Sequence, residues 1–249
     1  MTDLTKSKIK AFLIHIVLSV LIISTFLAIV WFVWYPKPFF ELEGGWPVVA
    51  VMVMVDIIIG PLLTFIVFNP AKKELYFDLA IIAVLQFAAF GYGAFTVFTE
   101  RPLYVAFYEE GFSIIPASSI NTDDLTDKSL KNGIFDPPRF VYIETPITSK
   151  GRKELINELT IDKKNIYLLP KYYRAYRQNL TRIASGMFRL NAQFLLKSYP
   201  EQKEQLVKIA QGIPPESLIF YALQSSMKKQ VIVLNPKDGN MLGVLDINP

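Results

Sequence analysis

Apolar residues are spread unevenly along this chain: from about residue 11 to residue 98 they run almost unbroken in three blocks, and from Arg101 onward charges and prolines interrupt them at short intervals. A hydrocarbon core about 30 Å thick needs about 20 helical residues at about 1.5 Å each. Residues 11–35, 48–68 and 79–98 meet that length, so the pattern predicts three transmembrane helices within residues 1–101 and a soluble domain over residues 102–249. Trp31, Trp34 and Tyr35 close the first block and Trp46 opens the second, as rings with one wet end do at a membrane interface. The first block is too long for the core of a cleaved leader, and no small-x-small site precedes Pro36-Lys37-Pro38, which predicts an uncleaved signal anchor.

The second half alternates on a shorter scale. Residues 103–107 and 112–115, joined through Glu109-Glu110-Gly111, predict a β-hairpin, and residues 139–144 a further strand. Thr148-Ser149 would cap a short helix over about 150–159. After Pro170, Tyr173, Tyr176, Leu180, Ile183, Met187, Leu190 and Phe194 recur at spacings of three and four, which predicts the longest helix of the domain, packed on its own sheet. Another helix would run from Pro200 to Gly212, and residues 230–234 and 241–247 flank a turn-rich hexapeptide as a terminal hairpin. The fold class expected is a three-helix transmembrane bundle followed by an α+β extracytoplasmic domain.

Charge adds orientation. Lys6, Lys8 and Lys10 precede the first block and Lys72 and Lys73 sit between the second and third, against Lys37 and Arg101 on the opposite flanks. Positive flanks stay inside, so the N-terminus is expected in the cytoplasm and the second domain in the periplasm. The net charge of +4 and the lack of any recognition motif give no reason to expect nucleic-acid binding. The chain has no Cys, which removes disulfides and thiol chemistry, and its one His, His15, lies in the first block. Without a phosphate loop, metal-spaced cluster or nucleophile elbow, neither an enzyme nor a cofactor is expected. Arg174, Arg177, Arg182 and Arg189 fall within a stretch free of acids from residue 163 to 200, where they could meet lipid headgroups or an acidic partner, or form a solvated face.

Asp56 stands in the middle of the second block, and Gly60-Pro61 follows it and predicts a kink. A carboxyl at that depth is costly and marks either a functional site or a bond that ties helices together. His15 and Gln86 fall about 6 and 10 Å from the inner face and could bond one another, with Asp56 about 12 Å from the outer face and offset from both.

The ordered run Trp34-Tyr35-Pro36-Lys37-Pro38-Phe39-Phe40-Glu41-Leu42-Glu43-Gly44-Gly45-Trp46, then Val55-Asp56, Gly60-Pro61-Leu62-Leu63-Thr64, Phe68-Asn69-Pro70, Asp78-Leu79-Ala80, Gln86, Tyr92-Gly93 and Arg101-Pro102, resembles the TfpX/TfpZ family of type IV pilin accessory proteins. The likeness is dense to about residue 105 and thinner beyond. It implies an inner-membrane protein of Gram-negative bacteria that interacts with a type IV pilin, and with other pilus assembly proteins, and assists assembly or tunes extension and retraction. On that reading Trp34, Tyr35, Phe39, Phe40, Trp46, Asp56, Gly60 and Pro61 are candidate pilin contacts. The alternatives are a membrane enzyme of pilin modification and a membrane-anchored sensor or scaffold.

Overall fold

All three apolar blocks are helical in the computed structural model, which describes residues 2–248. They form α1 (Asp3–Trp34), α3 (Trp46–Val67) and α4 (Leu75–Thr99), each long and apolar enough to cross a membrane. Between the first two lies α2 (Phe39–Leu42), a single turn. The chain divides into two units, one of residues up to Pro36 and Gly44–Glu100, the other of Lys37–Glu43 and everything from Arg101 onward. The single boundary expected near residue 101 therefore omits a connector, 37–43, that folds with the second unit.

In the first unit, two stretches depart from α geometry. Val30–Trp34 and Met54–Ile59 are π-helical. The second has a cause in the sequence: Pro61 has no N–H to offer, and its ring crowds the preceding turn. Within the wider register the Gly60 N–H bonds the Val55 carbonyl, so the Asp56 carbonyl meets Pro61 where the next donor would stand. The expected kink at Gly60-Pro61 is thus taken up as a π segment in a helix that continues to Val67. Ring contacts of Phe26 with Phe90 (5.3 Å) and Trp34 with Phe98 (5.1 Å) join the C-terminal halves of α1 and α4. The Tyr35 hydroxyl donates to the Val97 carbonyl at 2.9 Å and fastens the same end.

The second unit is built on a seven-stranded mixed sheet in the order β4-β3-β1-β2-β5-β6-β7. Its strands are β1 (Pro102–Tyr108), β2 (Gly111–Pro116), β3 (Arg139–Ile143), β4 (Tyr173–Ala175), β5 (Ile219–Gln224), β6 (Lys229–Leu234) and β7 (Met241–Leu245). Gly111 is required where it stands, opposite Ala222 in the parallel β2–β5 pair, because a Cβ there would meet the Ala222 carbonyl oxygen at 2.4 Å. Both faces are buried, which is why β1 reads as an unbroken apolar run rather than an alternation. One face carries Tyr104, Ala106, Val141 and Ile143 toward α5 (Ser149–Thr160), and Phe220, Val231 and Val233 toward α7 (Ala192–Ser198) and α8 (Lys203–Ala210). The other carries Val105, Phe107, Phe112, Tyr221 and Ile232, with Tyr176 and Ile183 above them. Phe39 and Leu42 of the connector belong to that same cluster and are 4% and 5% exposed.

The long helix expected after Pro170 is absent. Its stretch is cut into β4, which pairs antiparallel with β3, a one-turn α6 (Leu180–Ala184), and α7. The cut after α6 is made by Tyr221, whose hydroxyl donates to the Ile183 carbonyl at 2.7 Å and lies where any Cβ on Gly186 would stand. The predicted hairpins, the strand at 139–144 and the helix capped by Thr148 are all present. At the two ends of the sheet, β4 is three residues long, and on β7 the Val244 carbonyl accepts from Gln205 at 2.9 Å, with the Asp246 carbonyl just beyond the strand accepting from Gln202 at 3.5 Å.

Candidate functional site

The first unit places its few polar side chains together. Asp56 is 7% exposed on the π segment of α3, and Gln86 reaches it from α4, its amide 3.5 Å from both the carbonyl oxygen and Oδ1 of Asp56. Three local facts make this approach possible. Pro61 leaves the Asp56 carbonyl without a helical donor, the π turn carries Asp56 to the buried side, and Gly60 leaves the space that Gln86 fills, since a Cβ there would stand 1.9 Å from the Gln86 nitrogen. The remaining carboxyl oxygen, Oδ2, is buried with no hydrogen-bond partner. Such an atom is uncommon in a folded interior and calls for an explanation.

His15 of α1 shares a hydrogen with Thr64 of α3, Nδ1 to Oγ1 at 2.6 Å, and not with Gln86. The sequence expectation of a His15–Gln86 pair with Asp56 offset from both is thereby corrected: Gln86 pairs with Asp56, and His15 with Thr64 about two turns further along α3. The long amide side chain of Gln86 is what reaches across from α4 to Asp56.

Between α1 and α4, below the level where Phe26 meets Phe90, a cavity of about 440 Å³ opens with α3 as its floor. Its walls are apolar except for His15, Ser19, Asp56, Thr64 and Gln86. Ser19 is buried on the same wall. The arrangement is an apolar slot in a membrane-length bundle, with a few polar side chains on its walls, Asp56 among them.

The other expected contact residues separate into two groups. Gly60 and Pro61 are buried in the seat just described. Trp46 is 57% exposed and its ring lies 6.2 Å from that of Trp31, and Trp34 packs against Phe98. Tyr35, Phe39 and Phe40 are buried, with Phe39 in the core of the second unit, so these three present little surface of their own.

The arginines do not share a helix. Arg174 on β4 and Arg182 on α6 both bind Glu144, at 3.3 and 3.1 Å, Arg189 donates to the Leu218 carbonyl at 2.7 Å, and Arg177 approaches Asn240 at 3.5 Å. Two of the four arginines thus share one carboxylate just past β3, while Arg189 and Arg177 bond neutral groups. A second charged cluster, missed in the sequence, joins Lys171 to Glu154 (3.2 Å) and Glu158 (2.9 Å). Burial works against the Glu158 charge, but the ammonium groups of Lys171 and Lys164 outweigh it and hold its carboxyl below the usual range. Among the described residues no group of three His, Asp or Glu side chains is placed to hold a metal ion.

A family model described as fimbrial assembly protein FimB matches residues 3–44. The serogroup I fimbrial assembly protein of Dichelobacter nodosus is 25% identical over 240 residues, covering 94% of this chain and 93% of that protein. The serogroup E1 protein gives the same figures. The protein of serogroups C1 and C2 is 34% identical over 114 residues, 45% of this chain and 87% of its own length. No solved structure matches the chain.

Proposed function

The chain belongs to the fimbrial assembly protein family, and on that premise we propose that it is a non-catalytic inner-membrane accessory protein that binds type IV pilin and assists or modulates pilus assembly, extension and retraction. Its role lies in fimbrial biogenesis. The observation that carries the finer reading is that the match to fimbrial assembly proteins runs through 94% of the chain, so the helical unit and the sheet unit recur together. Pilin waiting in a membrane offers both a helix and a head, and a protein with a membrane-length bundle and a folded second unit has a surface for each. The ordered motifs from Trp34 to Pro102 are what favours a TfpX/TfpZ-type accessory role within that family. The lysines at positions 6, 8, 10, 72 and 73 support a cytoplasmic N-terminus, and with three crossings the second unit stands in the periplasm.

The test is crosslinking of the tagged full-length chain in its native membrane, followed by identification of what is captured. Recovery of a type IV pilin supports the reading. Recovery of none, where a pilus platform protein captures pilin in the same preparation, overturns it.

A further inference from the structure

We propose that the slot between α1 and α4 is the seat for the membrane helix of the fimbrial subunit, with a hydrogen-bond donor on that helix completing Asp56. The proposal rests on the reading above that a fimbrial subunit is the partner, and it adds where the subunit binds and by what chemistry.

Four observations lead there. First, α1 and α4 are held together by rings only toward their C-terminal halves, and the cavity lies between them below that level. Second, the wall residues recur at helical spacing on both sides. On α1 they run from Ala11 to Ile23 and on α4 from Leu79 to Phe90, twelve and eleven positions. At about 1.5 Å per residue that is roughly 17 Å, or about three turns, the length over which side chains of a third helix would interdigitate. Third, the slot opens sideways, and its upper walls include exposed Leu18 and Phe87, so a helix arriving in the plane of the membrane has access.

The fourth observation chooses a helix over a lipid chain. A saturated chain would be satisfied by an all-apolar slot, yet this one keeps two polar groups without full partners. Asp56 Oδ2 is buried and unpaired, and the hydrogen bond of His15 to Thr64 uses one of its two ring nitrogens. In hydrocarbon an unmet polar group is costly, and intramembrane carboxyls face protein partners. Gln86 engages Oδ1 and the Asp56 carbonyl, so Oδ2 is the atom left for an incoming donor.

Because the chain has no Cys and no photoreactive residue of its own, photocrosslinking side chains can be introduced one at a time. They would be placed at Leu18 and Phe87 in the slot, and at Leu62 and Phe95, exposed positions outside it, in the full-length protein in membranes that contain the subunit. The expected result is subunit crosslinked from Leu18 and Phe87 at least tenfold more than from Leu62 and Phe95. Asp56→Asn keeps the shape of the side chain but places a donor at the Oδ2 position, and it should lower the Leu18 crosslink about tenfold at equal protein level. Ser19→Leu, which fills the slot, should do the same.

If the subunit co-purifies but crosslinks equally from Leu62 and Phe95, or if Leu18 and Phe87 crosslink only lipid, the seat is wrong while the accessory function stands. An Asp56→Asn crosslink at full strength overturns the role of Oδ2. If no subunit co-purifies at all, the seat and the function fall together.

Discussion

The connector 37–43 supplies the most demanding prediction, because its aromatic and aliphatic residues can be read either as partner contacts or as core. Phe39 and Leu42 are 4% and 5% exposed and share a cluster with Phe107, Phe112, Tyr221 and Leu223. Truncating a buried Phe to Ala costs about 3–5 kcal/mol and a buried Leu about 2–5 kcal/mol. A single turn of helix can settle partly into the space left, so the lower ends apply, about 3 and 2 kcal/mol. The two residues share neighbours and their effects are not strictly additive. Together they still approach about 5 kcal/mol, against a total of about 5–15 kcal/mol for a domain. The double substitution Phe39→Ala with Leu42→Ala in the full-length protein should therefore bring the second unit close to unfolding at working temperature. Trypsin in detergent reads this unit selectively, since the apolar helices contain almost no Lys or Arg. Cleavage within residues 101–249 should rise by orders of magnitude, while the helical signal of the first unit persists. Trp46→Ala, at a position 57% exposed, should leave the pattern as it was. If the double variant resists trypsin like the parent but loses its partner, the connector is a contact surface and the core reading is refuted.

Three further outcomes follow from the same geometry. Gly60→Ala puts a Cβ where the Gln86 amide lies, so it should lower resistance of the bundle to denaturing detergent by about 1–3 kcal/mol, and adding Gln86→Ala should cost little more; full additivity would show that the two do not share one interaction. Gly111→Ala forces the β2–β5 pair apart and should destabilise the second unit by about 1–3 kcal/mol, read as a lower melting temperature; an unchanged value would place the strands differently. Burial raises the hydroxyl of Tyr167 to about 12, and those of Tyr173 and Tyr176 are raised as well by burial. A raised folded value contributes stability that is complete below the unfolded value near 10 and is lost as pH rises through about 12. Tyrosinate absorbance in the native protein should lag behind that of the denatured protein above pH 10 and then rise together with loss of structure; simultaneous titration near 10 with the sheet intact would contradict the burial.

The helices were legible because length and hydropathy alone decide them, and the end hairpins because a turn sits between two apolar runs. Asp56 was legible as an anomaly, but its partner was not: a Gln side chain reaching across from another helix leaves no periodic trace. The helix read after Pro170 failed for a tertiary reason. Tyr173–Ala175 is recruited as an edge strand by β3, and Tyr221, 38 positions away from Ile183, takes the carbonyl that would have carried the helix onward. Strand β5 was passed over because a short, fully buried run has neither period. The arginines looked like one basic face only while Glu144 was not known to lie between two of them.

The two borders of the sheet bear on how a polymerising partner can be handled. An unpaired border is a template on which another chain can add as a strand, and a protein that works among fibre-forming subunits would risk being built into, or seeding, the wrong assembly. Here one border is only three residues long, and at the other Gln205 already donates to the Val244 carbonyl, with Gln202 on the Asp246 carbonyl just past the strand. Strand addition is hindered at both borders, so contacts of this unit with another chain would fall to its loops and helices, in a form that releases without breaking a backbone ladder.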